Sequence, residues 1–129
     1  MIKVYVSKQS TYPVSAFEIK KFLQIFFEKE GIVSDAEVSV VFVNEKKMLK
    51  LTRTFLKEGT LHSVLTFNTT ETKGEFFYPP GEVIHLGEIV VCYPKVVEEA
   101  KRENKLIKQK VFELVEHGAR HLMGENHGE

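Results

Sequence analysis

The 129 residues contain no tryptophan, one cysteine and only four prolines. A lone Cys92 excludes an internal disulfide and suits a reducing compartment. Four prolines and eight glycines exclude collagen-like or low-complexity character. No excess of charge of either sign exists, because 18 basic residues balance 18 acidic ones. That argues against a protein that coats a polyanion over its whole surface and leaves a local basic patch open. Long apolar runs are missing too. Val38–Val43 is interrupted by Ser39, and nothing approaches the roughly 20 apolar residues of a membrane-spanning helix. The opening Met1-Ile2-Lys3-Val4-Tyr5-Val6 reads as a strand rather than a signal peptide. The expectation is a cytoplasmic protein with no membrane partner. Asn68-Thr69-Thr70 matches a glycosylation acceptor and is read as chance without a secretion signal.

What is present is ordinary globular material: 43% hydrophobic and 28% charged residues, with ten phenylalanines for a core. No repeat or linker divides the chain, so residues 1–129 are read as a single domain. Residues 2–6 alternate as a strand. Ser15, with Glu18 three residues on, has the spacing of a helix cap, and Phe17, Ile19, Phe22, Leu23, Phe26 and Phe27 recur at helical intervals before Gly31. Glu37–Val43 is strand-like, and Asn44 caps a helix expected to reach about Lys57. Ser63–Phe67 and Val83–Val91 read as strands around a polar loop, 68–82. The second of these alternates imperfectly at Gly87 and runs into Cys92. Pro94 opens a helix that weakens near Glu103-Asn104, and Ile107, Val111, Leu114, Val115 and Leu122 stripe another. The order β-α-β-α-β-β-α-α predicts an α+β domain: a mixed four-stranded sheet with helices packed on it and a metal site on the C-terminal helix.

The chemistry concentrates at that helix. His117 and His121 stand at i and i+4, so their imidazoles leave one helix face. Gly124 is a natural helix stop, and a turn there brings His127 back toward the other two. Three neutral imidazoles meeting at a point make a Zn²⁺-type site with a position open for water. The bland alternative is a pair of accidental or packed histidines. The spacing resembles the three-histidine zinc-protease pattern, but Gly118 stands where those enzymes place their glutamate base.

The run His117-Gly118-Ala119-Arg120-His121-Leu122-Met123-Gly124-Glu125-Asn126-His127 resembles the H-G-x-x-H-L-x-G-x-D-H hallmark of the YbeY family of endoribonucleases and rRNA maturation factors, with Asn126 at the usual aspartate. Ser63-Val64-Leu65-Thr66-Phe67 resembles that family's D-V-L-S-F strand, and Leu86-Gly87-Glu88-Ile89-Val90-Val91-Cys92 its L-G-D-I-V-I-C strand. The resemblance implies one zinc ion, or another divalent transition metal, on His117, His121 and His127. It implies a metal-dependent single-strand endoribonuclease in rRNA maturation and ribosome quality control. Its partners would be single-stranded or ribosomal RNA and ribosome-associated proteins. The family also carries an arginine near the end of the helix before the D-V-L-S-F strand. A gap-free register puts Leu56 there, and His62-Ser63 replaces threonine-aspartate.

Positive charge for RNA is sought on the helix from Glu45. Lys46, Lys50, Arg53 and Lys57 recur at i, i+4, i+7 and i+11, with Met48, Leu51, Thr52 and Phe55 expected to face the core. Lys57, Arg53 and Lys50 are the candidate phosphate-binding residues. Lys101, Lys105, Lys108 and Arg120 are weaker candidates near the histidines, and Phe76-Phe77-Tyr78 offers rings for stacking or packing. His62 is read as a turn histidine or a proton shuttle, and Cys92 as a buried side chain rather than a nucleophile. Two rival functions remain open: a ribosome-assembly RNA-binding module with a structural metal, and a metallohydrolase on a non-RNA substrate. Leu56 favours the binding module; an open coordination position favours an enzyme.

Overall fold

The computed structural model describes residues 1–68 and 83–124. Its elements are β1 (Ile2–Ser7), α1 (Ala16–Lys29), β2 (Ala36–Val43), α2 (Glu45–Leu51), β3 (Val64–Phe67), β4 (Ile84–Cys92), α3 (Tyr93–Arg102) and α4 (Ile107–Leu122). The sheet order is β1-β2-β4-β3. β1, β2 and β4 run parallel, and the short edge strand β3 runs antiparallel to β4. This is the expected mixed four-stranded sheet.

The pleat divides the core in two. Val4, Val38, Val40, Phe42, Ile89 and Val91 join one cluster with Ile19, Leu23 and Phe27 of α1, Val96 of α3, and Leu114, Val115 and Leu122 of α4. Alternate residues of the same strands, Val43, Val90 and Cys92, meet Met48 of α2 in a second cluster. Three helices therefore cover one face, and α2 covers part of the other. β4 is central, so Ile89–Cys92 are all buried and the period-two alternation disappears there.

Caps follow the sequence signals. Ser15 Oγ accepts from the Glu18 amide at 3.1 Å, and Asn44 Oδ1 accepts from the Lys47 amide at 2.8 Å. The Glu18 carboxylate does not fold back onto its own cap; it reaches Lys108 of α4 at 2.9 Å. Pro94 sits in the first turn of α3, and Asn104 takes a left-handed φ of 58° between α3 and α4.

The helix after Asn44 departs from expectation. It is α-helical only to Leu51 and continues as a π-helical turn over Thr52–Leu56, ended by Lys57 at φ 59°. Thr52 is fully buried, and its hydroxyl donates to the Leu49 carbonyl at 2.9 Å. Holding that polar side chain in the core accompanies the wider turn, which shifts the register of everything after it. Phe55, expected in the core, is instead 58% exposed. Lys57 lies beyond the helix rather than on its stripe.

α3 and α4 are joined by a buried ammonium. Lys110 is 5% exposed and bonds Glu103 at 3.0 Å and Glu113 at 2.9 Å. Burial pulls its pKa down, and the bonds to Glu113 and Glu103 outweigh that and leave it raised. The Lys110 bond holds the Glu103 carboxyl below its ordinary value, and Lys105 and Lys110 do the same for Glu113. Carboxyls lowered in the folded state stabilise it above the ordinary carboxylate range, and that contribution is lost as pH falls through their folded values. Thermal unfolding should therefore move to lower temperature as pH drops from about 5 to about 2, and less so in Lys110→Met. Equal pH dependence in the two proteins would remove this cluster as the cause.

Candidate functional site

α4 carries its histidines on a flank, because the residue between them and the sheet has no side chain. A Cβ on Gly118 would lie 2.8 Å from Ile89 Cγ2 and 3.1 Å from Thr66 Cγ2. The helix thus rests directly on β4 and β3, and a glutamate at 118 would drive into the sheet. His117 is exposed and His121 half-buried. Their rings meet edge to face with centroids 4.8 Å apart. The i, i+4 expectation is met for this pair. Gly124 has φ +88°, and its amide donates to the His121 carbonyl at 3.0 Å, the tight reversal expected there. His127 lies outside the described residues, and so does its convergence with the other two. Among the described residues no three His, Cys, Asp or Glu side chains group to hold a metal.

The last turn of α4 is pinned by two features whose partners the sequence does not reveal. Asn68, just after β3, donates from Nδ2 to the Leu122 carbonyl at 3.2 Å. Thr69 and Thr70 of the glycosylation match lie outside the described residues. Gly87 has φ +138°, and a Cβ there would lie 2.2 Å from the Phe67 carbonyl oxygen and 2.8 Å from Leu122 Cδ2. The β2–β4 register shifts beside it, between Glu37 and Val38. The imperfect alternation around Gly87 was the only sequence trace of this bulge.

Cations gather on the opposite face. Lys46, Lys47, Lys50 and Arg53, with Asn44 and Thr54, line an open groove of about 600 Å³ on α2. All four are exposed, and none makes an ion pair or side-chain hydrogen bond among the described residues. Lys57 is exposed but outside this lining. Three of the four other proposed cations are engaged: Lys105 with Glu113, Lys108 with Glu18, and Arg120 with Glu116 at 2.8 Å while also lying over the Phe26 ring. Lys101 is exposed and makes no side-chain ion pair among the described residues. The two sites face opposite sides of β3. Thr66 points toward Gly118, whereas Leu65 and Phe67 pack on the α2 side.

His62 pairs with Glu58, and His85 pairs with Glu37, both at 2.5 Å. These contacts fit the turn-histidine reading of His62. Cys92 is fully buried, and burial pushes its thiol pKa up, the opposite of what a nucleophile needs. Phe76-Phe77-Tyr78 lies outside the described residues.

A sequence model described as Endoribonuclease YbeY matches residues 5–129. Among curated relatives named Endoribonuclease YbeY, the protein of Alkaliphilus metalliredigens is 33% identical over 118 residues, covering 85% of this chain and 75% of its own. That of Oceanobacillus iheyensis is 30% identical over 112 residues, covering 84% and 72%. The solution structure of a Thermotoga maritima protein superposes with a TM-score of 0.61 at 26% identity, covering 98% of this chain and 75% of the other. No helix among the described residues is long and apolar enough to cross a membrane.

The bulge glycine yields a direct test. Gly87→Ala should destabilise the fold by at least about 2 kcal/mol in urea unfolding, through strained φ and the clash with a backbone carbonyl. Gly59→Ala, whose Cβ would meet nothing within 4 Å, should change stability by less than about 1 kcal/mol. Equal effects at the two positions would contradict the close approach at Gly87.

Proposed function

The chain belongs to the endoribonuclease YbeY family, and we propose that it is a metal-dependent hydrolase that cuts single-stranded RNA, serving rRNA maturation and ribosome quality control in the cytoplasm. The observation that carries the reading is the His117–His121 pair, set side by side on the outer flank of a helix locked to the sheet at Gly118. That donor set fits a Zn²⁺-class ion, with His127 as the third ligand. When bound, such an ion supplies Lewis acidity toward a phosphate and lowers the pKa of a water.

The chain's own residues supply the rest. Gly118 and Asn68 fix the direction of the histidine flank. The exposure of His117 leaves that flank open to a substrate backbone. Lys50, Arg53 and Lys57, on the other side of β3 from the histidines, hold phosphates further along the RNA strand, Arg53 with a bidentate fork and the lysines as point charges. Leu56, 44% exposed at the family's arginine position, supports a second reading, an RNA-binding module of ribosome assembly that keeps the metal and cuts nothing.

Purified protein should contain about one metal ion per chain and cleave labelled single-stranded RNA, while His121→Ala should lose both properties. Intact RNA with bound metal would favour the binding module, and absence of metal would sink the site. Chelation should also lower the melting temperature, because an ion bound by the folded chain and not by the unfolded one stabilises the fold by mass action. An unchanged melting curve after verified metal removal would rule out that support. In affinity measured against salt, Lys50→Ala, Arg53→Ala or Lys57→Ala should each weaken binding and flatten the slope by about one charge's worth, and Leu56→Arg should strengthen it. Unchanged slopes in all three alanine variants would place the phosphate contacts elsewhere.

A further inference from the structure

Beside the cationic groove lies a second one of about 370 Å³, and Lys47 lines both. Val41 and Val90, paired neighbours on β2 and β4, form its sheet side. Phe55 and Phe67 stand in it edge to face, with ring centroids 5.0 Å apart. Glu88 lines it as well, opposite Phe67 in the β3–β4 register. Phe55 is in this position because the π-helical turn carries it off the buried side of the helix. Phe55 is 58% exposed and braced by the second ring, so it presents aromatic surface to solvent beside the cations.

We propose that this notch holds one base of the single-stranded RNA, stacked against Phe55, while Lys47, Lys50 and Arg53 follow the adjoining phosphates. The charge pattern selects this occupant. An apolar, aromatic slot continuous with a row of exposed cations that make no ion pair among the described residues matches a chain in which planar bases alternate with anions. The Glu88 carboxylate accepts hydrogen bonds only, so it favours a base that presents an exocyclic amine, such as cytosine, over one that presents a carbonyl there, as uracil does. The inference rests on the RNA-cleaving reading and adds to it a binding subsite, on the face of β3 opposite the histidines.

The test is the affinity of the full chain for short phosphorothioate RNAs, which resist hydrolysis: a cytidine oligomer, a uridine oligomer and an oligomer with abasic positions. Phe55→Ala should weaken binding of the cytidine oligomer by about five- to a hundredfold with an unchanged salt slope, and Phe55→Tyr should restore it. Abasic RNA should bind wild type and Phe55→Ala alike. Glu88→Gln should erase the preference for cytidine over uridine. A 5-iodocytidine oligomer irradiated with wild-type protein should crosslink to the peptides bearing Phe55 or Phe67, a readout that holds even if Phe55→Ala folds poorly. Crosslinks confined to other peptides, or wild-type affinity in a folded Phe55→Ala, would overturn the notch while RNA binding itself stood. Failure of the wild type to bind any of the three RNAs would overturn both readings.

Discussion

Everything about the candidate site depends on how closely α4 lies on the sheet. Gly118 and Gly87 together remove the side chains that would hold helix and strands apart. Close packing of this kind has little room to adjust, since even a methyl group must displace its neighbours. The consequence is geometric. With Gly118 against Ile89 and Thr66, His117 and His121 must leave the helix at its flank, and Leu122 comes near enough to the end of β3 for Asn68 to bond its carbonyl. The same contact explains why the position after the first histidine cannot carry the glutamate base of a zinc protease.

A second constraint is the distribution of charge. The chain is neutral as a whole, yet its ion pairs are not spread evenly. Carboxylates gather around α3 and α4, where Lys105, Lys110 and Arg120 are bonded to glutamates. Among the described residues, the cations of α2 have no such partners and face solvent. Salt bridges at the surface add little stability, but they determine which cations remain available to a polyanion. In a neutral protein, any binding of phosphates depends on locally available cations rather than on net charge.

The short strand β3 connects the two. Its alternating side chains serve different faces, Thr66 beneath the histidine helix and Leu65 and Phe67 beneath α2.

Local patterns determined much from the sequence alone. Element order, the caps at Ser15 and Asn44, the helix stop at Gly124 and the i, i+4 pairing of His117 and His121 all depend on residues within a turn or two of each other, where spacing dictates geometry. The histidine run and two strand motifs were enough to show the family resemblance. Tertiary structure alone decided the rest. The buried Thr52 coincides with a π-helical turn that no 3.6-residue periodicity announces, and that turn sent Phe55 outward and took Lys57 off the stripe. Which lysines were neutralised depended on glutamates brought over from other turns and helices, as Glu18 is to Lys108. The need for glycine at 87 and 118 arose only when β3, β4 and α4 met, because a steric limit belongs to the atoms on both sides of a contact and a single segment of sequence holds only one side.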